Sequence, residues 1–212
     1  MSLTLFGRKT SANVQKVMWA LGELELAHEQ IEVGGKFGGL DTPDYLRMNP
    51  NALVPTLKDG EFVLWESHAI VRYLAARHGV GTLWPADLRT RAIADQWADW
   101  TSARFQPAWI GVFAAVVRTR PQDRDPALIS RSIAAANACF KILDAQLSRT
   151  PFLAGPALSY ADIVAGTSLF RWYSMAIDRL RFAAVENWHK RLLDRPAFVS
   201  GVCVPYDDLV AR

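Results

Sequence analysis

Three small polar side chains, Thr10, Ser11 and Asn13, stand just ahead of an apolar run that begins at Val14. Residues of this kind cap helices, because a side-chain oxygen accepts from the free N–H groups of the first turn. Whether one of them also does chemistry is a separate question, and two other stretches bear on it. In "NPNALVPTL" (Asn49–Leu57), Pro55 opens a strand and cannot donate a ladder hydrogen bond. With the ordinary trans peptide it is only a strand start. A cis Val54–Pro55 bond would instead leave the Val54 N–H and C=O pointing outward, ready to pair with an extended, peptide-like ligand. In "WESHAI" (Trp65–Ile70), Glu66 and Ser67 lie between a strand and a helix. A helix start with a free hydroxyl and backbone N–H groups suits a carboxylate, and Glu66 beside it could accept from an ammonium. Together they match an amino-acid head group; the alternative is a plain helix cap.

Other chemistries find little support. Cys139 and Cys203 are the only cysteines and lie far apart, so neither a C-x-x-C redox pair nor a zinc site is spelled. With no signal-peptide pattern, they read as free thiols of a reducing cytoplasm. His68 and His78 lack a second histidine or carboxylate at metal-ligand spacing, so no metal is expected. The net charge of +3 is modest and rich in arginine. It could favour small anions but is no nucleic-acid footprint, and no apolar run is long enough to span a bilayer.

The elements that must hold these residues fall into two groups. Leu3–Phe6 reads as a strand, 12–24 as a helix, and His28–Val33 as a half-buried strand. A glycine-rich loop follows, with one helical turn expected near Tyr45. "PTLKDGEFVL" reads as a hairpin turned at Asp59-Gly60. "ESHAIVRYLAARHG" reads as a helix ended by Gly79. Beyond a linker at 80–86 only helices are expected: 89–117, which Pro107 should kink or break, 126–147 starting at Pro126, 159–176, 186–193 and 197–202. The third of these opens with "SYAD", where Ser159 and Asp162 form a capping-box-like pair flanked by Leu158 and Ile163 as a staple. The expected fold class is a small α/β domain followed by an all-helical one.

"TSANVQKV", "NPNALVPTL", "WESHAIVRYL" and "LSYADI", in this order and spacing, resemble a cytosolic glutathione transferase of bacterial, theta-like or nu-like type, over nearly the whole chain. The resemblance implies a thioredoxin-like glutathione-binding domain at 1–79 and a helical domain at 87–212 that supplies most of the second-substrate pocket. It implies a cis Pro55, with Val54, Glu66 and Ser67 holding the peptide and its γ-glutamyl end. Ser159 and Asp162 become the family's folding signature. Ser11 matches the serine of theta-like classes, and Asn13 the asparagine of some bacterial and fungal relatives. Either would donate to the glutathione sulfur and stabilise its thiolate, with Thr10 as a supporting neighbour. Where thioredoxins carry a reactive cysteine this chain offers a hydroxyl, which argues against disulfide chemistry.

Lys36 could reach the glycyl carboxylate of glutathione or simply be solvated. Phe105, Trp109, Phe113 and Trp172 could line the second-substrate pocket or, at helical spacing, belong to the core. The implied partners are glutathione as co-substrate, a small hydrophobic electrophile or a peroxide, and a second copy of the chain. In such a homodimer, Asp99 or Arg104, near Asp95, would reach the neighbour's glutathione. Rival readings are a glutathione-dependent isomerase of the maleylacetoacetate type, whose serine-cysteine pair is missing here, and a non-catalytic binding protein of the same fold.

Overall fold

The computed structural model describes residues 3–212. Its first part runs β1 (Leu3–Phe6), α1 (Ala12–Glu23), β2 (His28–Ile31), α2 (Pro43–Met48), β3 (Thr56–Asp59), β4 (Phe62–Trp65) and α3 (Ser67–His78). The sheet order is β2-β1-β3-β4, with β2 parallel to β1 and the other pairs antiparallel. This is a thioredoxin-like arrangement. β1 is central, so Leu3 and Leu5 are buried. β2 is an edge strand and mostly exposed, which is why the half-buried alternation expected for His28–Val33 does not appear and the strand stops at Ile31. The Asp59-Gly60 turn forms as expected, with Gly60 at φ 60°. Gly79 follows α3, yet its φ of −121° is not left-handed. Close approach selects glycine there: a Cβ would stand 2.9 Å from Leu24 Cδ2 and 3.1 Å from the Ala75 carbonyl oxygen.

The second part is helical: α4 (Leu88–Trp100), α5 (Gln106–Val116), α6 (Pro126–Leu147), α7 (Tyr160–Ser174), α8 (Ala183–Leu193) and α9 (Pro196–Val202). Pro107 does not break the chain's course. Thr101–Phe105 form one wide π-helical turn between α4 and α5, and the backbone stays helical throughout. The Gln106 N–H bonds the Thr101 carbonyl, five residues back, and Pro107 then sits in the first turn of α5, where its missing N–H costs little.

α7 is buried along almost its whole length. Its capping box closes as expected: Asp162 accepts from the Ser159 N–H at 3.0 Å, the Ser159 hydroxyl at 3.0 Å and the Leu153 N–H at 2.9 Å. Leu158 and Ile163 are both buried beside it.

The two parts are joined mainly by α9 lying against α1. Trp19, fully buried, meets Phe198 edge-on at 4.8 Å between ring centroids. A Cβ on Gly201 would stand 3.0 Å from the Trp19 backbone nitrogen, and one on Gly22 would stand 3.0 Å from Ala197 Cβ. Small residues here let the helices approach closely. Arg195 clasps Glu23 through two hydrogen bonds at the edge of the contact.

Candidate active site

The β1–α1 connection sets the first wall of the site. Ser11 is the N-cap of α1, with extended backbone, yet its hydroxyl makes no capping bond. It opens instead onto a cleft of about 250 Å³ that Asn13, Val54, Trp109, Phe113 and Arg171 also line. Capping and chemistry therefore do not compete for this group.

Asn13 is positioned from behind. Its Oδ1 accepts from Lys16 Nζ at 3.0 Å and from Gln106 Nε2 at 3.4 Å. With that oxygen occupied, the Nδ2 end is the one left to face the cleft. Lys16 also donates to His68 Nε2 at 2.9 Å and to Gln106 Oε1. Lys16 is fully enclosed, and burial pushes its pKa down to about 7 against a weaker upward pull from Glu66. The same burial, together with Lys16 and Arg72, pushes His68 down to about 2, so it stays neutral. Sequence reasoning missed Lys16 and Gln106. A lysine beside Val14, Val17, Ala20 and Leu21 on the apolar face of α1 was the available signal. Gln106 is brought in by the π-helical turn, and nothing local announces that.

A second recess of about 40 Å³ adjoins the cleft and shares Asn13 and Val54 with it. Pro55, Glu66 and Ser67 complete it. The Val54–Pro55 peptide is cis. The Val54 N–H and C=O have no hydrogen-bond partner among the described residues. Ser67 is buried at the start of α3, and Glu66 before it is exposed with φ 72°, an uncommon value for a residue with a side chain. Backbone outliers of this sort concentrate at sites where geometry matters.

Not all the residues singled out in the sequence gather here. Thr10 turns away: its hydroxyl donates to Asp208 at 3.0 Å, and its carbonyl accepts from Arg171 at 2.6 Å. Lys36 is exposed in a short 3₁₀ turn, Gly35–Phe37, and lines neither recess. Trp109 and Phe113 stand on the cleft wall. Phe105 and Trp172 do not; both pack on Phe140 in the core, at 5.0 and 4.5 Å between centroids. Periodicity put all four on inward faces, but only the two on α5 meet the cavity.

Comparison with known proteins fits this geometry. An N-terminal domain model of glutathione S-transferases matches residues 5–82, and a C-terminal domain model matches residues 126–191. Glutathione S-transferase GstB of Escherichia coli is 39% identical over 205 residues, 96% of this chain and 99% of that one. The chain belongs to the glutathione S-transferase family. A theta class glutathione S-transferase from Xanthomonas axonopodis pv. citri, solved with glutathione bound, superposes with a TM-score of 0.93 at 41% identity, covering 96% of this chain and 98% of that one. The disulfide-bond oxidoreductase YfcG of Escherichia coli is 32% identical over 87% of each chain. This transferase therefore binds glutathione and transfers it, and the cleft beside Ser11 is where its polar groups converge.

Proposed function

We propose that this transferase holds glutathione as a thiolate under Ser11, with Asn13 as second donor, for attack on an electrophile or peroxide. The observation that carries the reading is the Ser11 hydroxyl at the start of α1, on the cleft and without a hydrogen bond among the described residues. An ordinary thiol, of pKa near 8.5, is only a few per cent thiolate at neutral pH, and lowering it by two units takes about 2.7 kcal/mol. One hydrogen bond to a charged acceptor supplies roughly 1.5–3 kcal/mol, and a helix N-terminus adds about 0.3–1 kcal/mol. Thr10 takes a supporting part by holding the turn through Asp208 and Arg171.

In this reading residues 1–79 hold the tripeptide. The free Val54 backbone pairs with the cysteinyl unit, while Ser67 and Glu66 receive the carboxylate and ammonium of the γ-glutamyl end. Lys36 would approach the glycyl end only if its loop shifts. The 87–212 region supplies the acceptor side, through Trp109 and Phe113. The site of action is cytoplasmic, in keeping with free Cys139 and Cys203.

The test is titration of the far-ultraviolet thiolate absorbance of bound glutathione. Ser11→Ala is expected to raise the thiol pKa by about a unit or more while glutathione affinity stays nearly constant. If only Asn13→Ala moves the titration, the asparagine carries the role; if neither does, the thiolate reading is wrong.

The functional unit in this reading is a homodimer. Arg72 of the same chain engages Asp95 at 2.8 Å and also Asp99, which leaves exposed Arg104 as the group free to reach a neighbour's glutathione. Light scattering at micromolar concentration should give twice 23.6 kDa, and a monomeric mass would overturn this part.

A further inference from the structure

The acceptor side of the cleft is not simply apolar. Three arginines line it: Arg8 after β1, Arg118 after α5 and Arg171 in α7. Arg171 is only 2% exposed and is held between the ring faces of Phe113 and Tyr206, at 5.0 and 5.6 Å. Its Nη2 is spent on the Thr10 carbonyl and on Gln15 Oε1 at 3.4 Å, but its buried Nε has no partner. The buried Nε of Arg8 is likewise unpartnered. Arg118 lies over the Phe113 ring at 5.4 Å. None of the three forms an ion pair among the described residues. Asp208 is the acid felt by Arg171, and its carboxylate accepts the Thr10 hydroxyl. Burial and mutual repulsion lower the pKa of Arg171 to about 10 and that of Arg118 as well. Arg171 is buried, Arg8 is half-buried and Arg118 is exposed at the rim; a buried guanidinium without an anion is costly, and a bound anion would relieve it.

We propose that Arg8, Arg118 and Arg171 form an anion subsite on the acceptor side of the cleft, and that the electrophiles this transferase takes carry a carboxylate. The inference deepens the thiolate reading and rests on it for the reaction itself. Arg118 directly follows α5, the helix that brings Trp109 and Phe113, and Arg171 on α7 lies against the Phe113 ring, whereas the smaller recess with Glu66 and Ser67 contains none of the three. An aromatic or short aliphatic acid fits a cavity of about 250 Å³, its body against Trp109 and Phe113 and its carboxylate on the guanidinium groups. A thiolate and an acid repel each other in solution, and the three cations offset that repulsion. In the reaction the sulfur bonds to the ring carbon that bears chlorine, and the C–Cl electron pair leaves as chloride. The proton comes off glutathione when the thiolate forms.

A matched pair of acceptors tests this: a chlorodinitrobenzoate and its primary amide. The native enzyme should favour the acid in kcat/KM by about tenfold, and Arg118→Gln should lower the acid-to-amide ratio by about tenfold. Unreactive benzoate should bind the glutathione-loaded enzyme more tightly than benzamide, and Arg118→Gln and Arg8→Gln should each abolish that preference. The binding measurement needs no turnover, so it judges the subsite even if the thiolate reading fails. Equal handling of acid and amide, in binding and in rate, overturns the proposal. A rise in glutathione KM as the main effect of Arg8→Gln or Arg118→Gln also overturns it, because the arginines would then serve a carboxylate of glutathione.

Discussion

The starts of α1 and α7 look alike in sequence and behave differently in structure. Each helix begins after a serine, Ser11 or Ser159, and each buries an ionisable side chain in its first turns, Lys16 or Asp162. At α7 every polar atom is matched: three donors converge on the two carboxylate oxygens of Asp162. At α1 the serine hydroxyl has no partner among the described residues, the asparagine amide is fixed at one end only, and Lys16 is surrounded by neutral acceptors. A closed polar cluster anchors the fold. An open one, with donors fixed in place and nothing yet to receive them, has the form of a binding site.

Breaking the closed cluster should have the largest effect. Asp162→Ala would leave buried donors unmatched and cost about 3–5 kcal/mol of stability, read from urea unfolding. Turnover per folded molecule should survive, and a specific loss of turnover would erase the contrast. Ser11→Ala should do the reverse. Turnover should fall by roughly a hundredfold, equivalent to about 2–3 kcal/mol. Unfolding free energy should change by less than about 0.5 kcal/mol, the usual range for substitutions that disturb no packing or buried bond. Asn13→Ala should cost less, and the double change more than either alone.

Lys16 sharpens the comparison through pH. Its pKa in the folded chain is depressed, to about 7 from 10.5 in the unfolded chain. Above pH 7 the unfolded state therefore binds more protons, and stability rises with pH up to the unfolded value. The expected slope is about 1 kcal/mol per pH unit between roughly pH 7 and 9. Lys16→Met should flatten it, and an unchanged slope would mean the lysine is solvated. The smallest effect belongs to the second recess. Glu66→Ala or Ser67→Ala should raise glutathione KM about five- to tenfold, near 1 kcal/mol, and leave thiol acidity almost alone.

Element order was legible because it rests on local signals: the Asp59-Gly60 turn, Pro126 at a helix start, and the spacing of Ser159 and Asp162. Val54, Pro55, Glu66 and Ser67 were legible as a group because they flank one hairpin and meet in one recess. Pro107 misled because its effect depends on the π-helical turn before it, which no local pattern specifies. Phe105 and Trp172 stayed open between pocket and core because periodicity gives the inward face of a helix without saying whether core or cavity lies beneath it. Gln106 and the three cleft arginines escaped notice because their roles come from contacts across long stretches of chain, such as Lys16 with Gln106 and Thr10 with Arg171.

The seam between α1 and α9 bears on how members of such a family can exchange parts. Gly201 lies against the backbone of Trp19, whose ring meets Phe198, and Gly22 admits Ala197 at the next turn. A chimaera that joins this sheet domain to another chain's helical domain inherits whatever residues that chain carries at positions 197 and 201. A side chain larger than alanine at the first, or any β-carbon at the second, lifts α9 off α1 and uncovers Trp19. Lys16 lies one turn before Trp19 on the same side of α1, and Asn13 one turn before that, so displacing α9 would also disturb the residues behind the cleft. Recombination between relatives is thereby confined to pairs whose small residues agree across the seam, and acceptor preference evolves with the two domains as a unit.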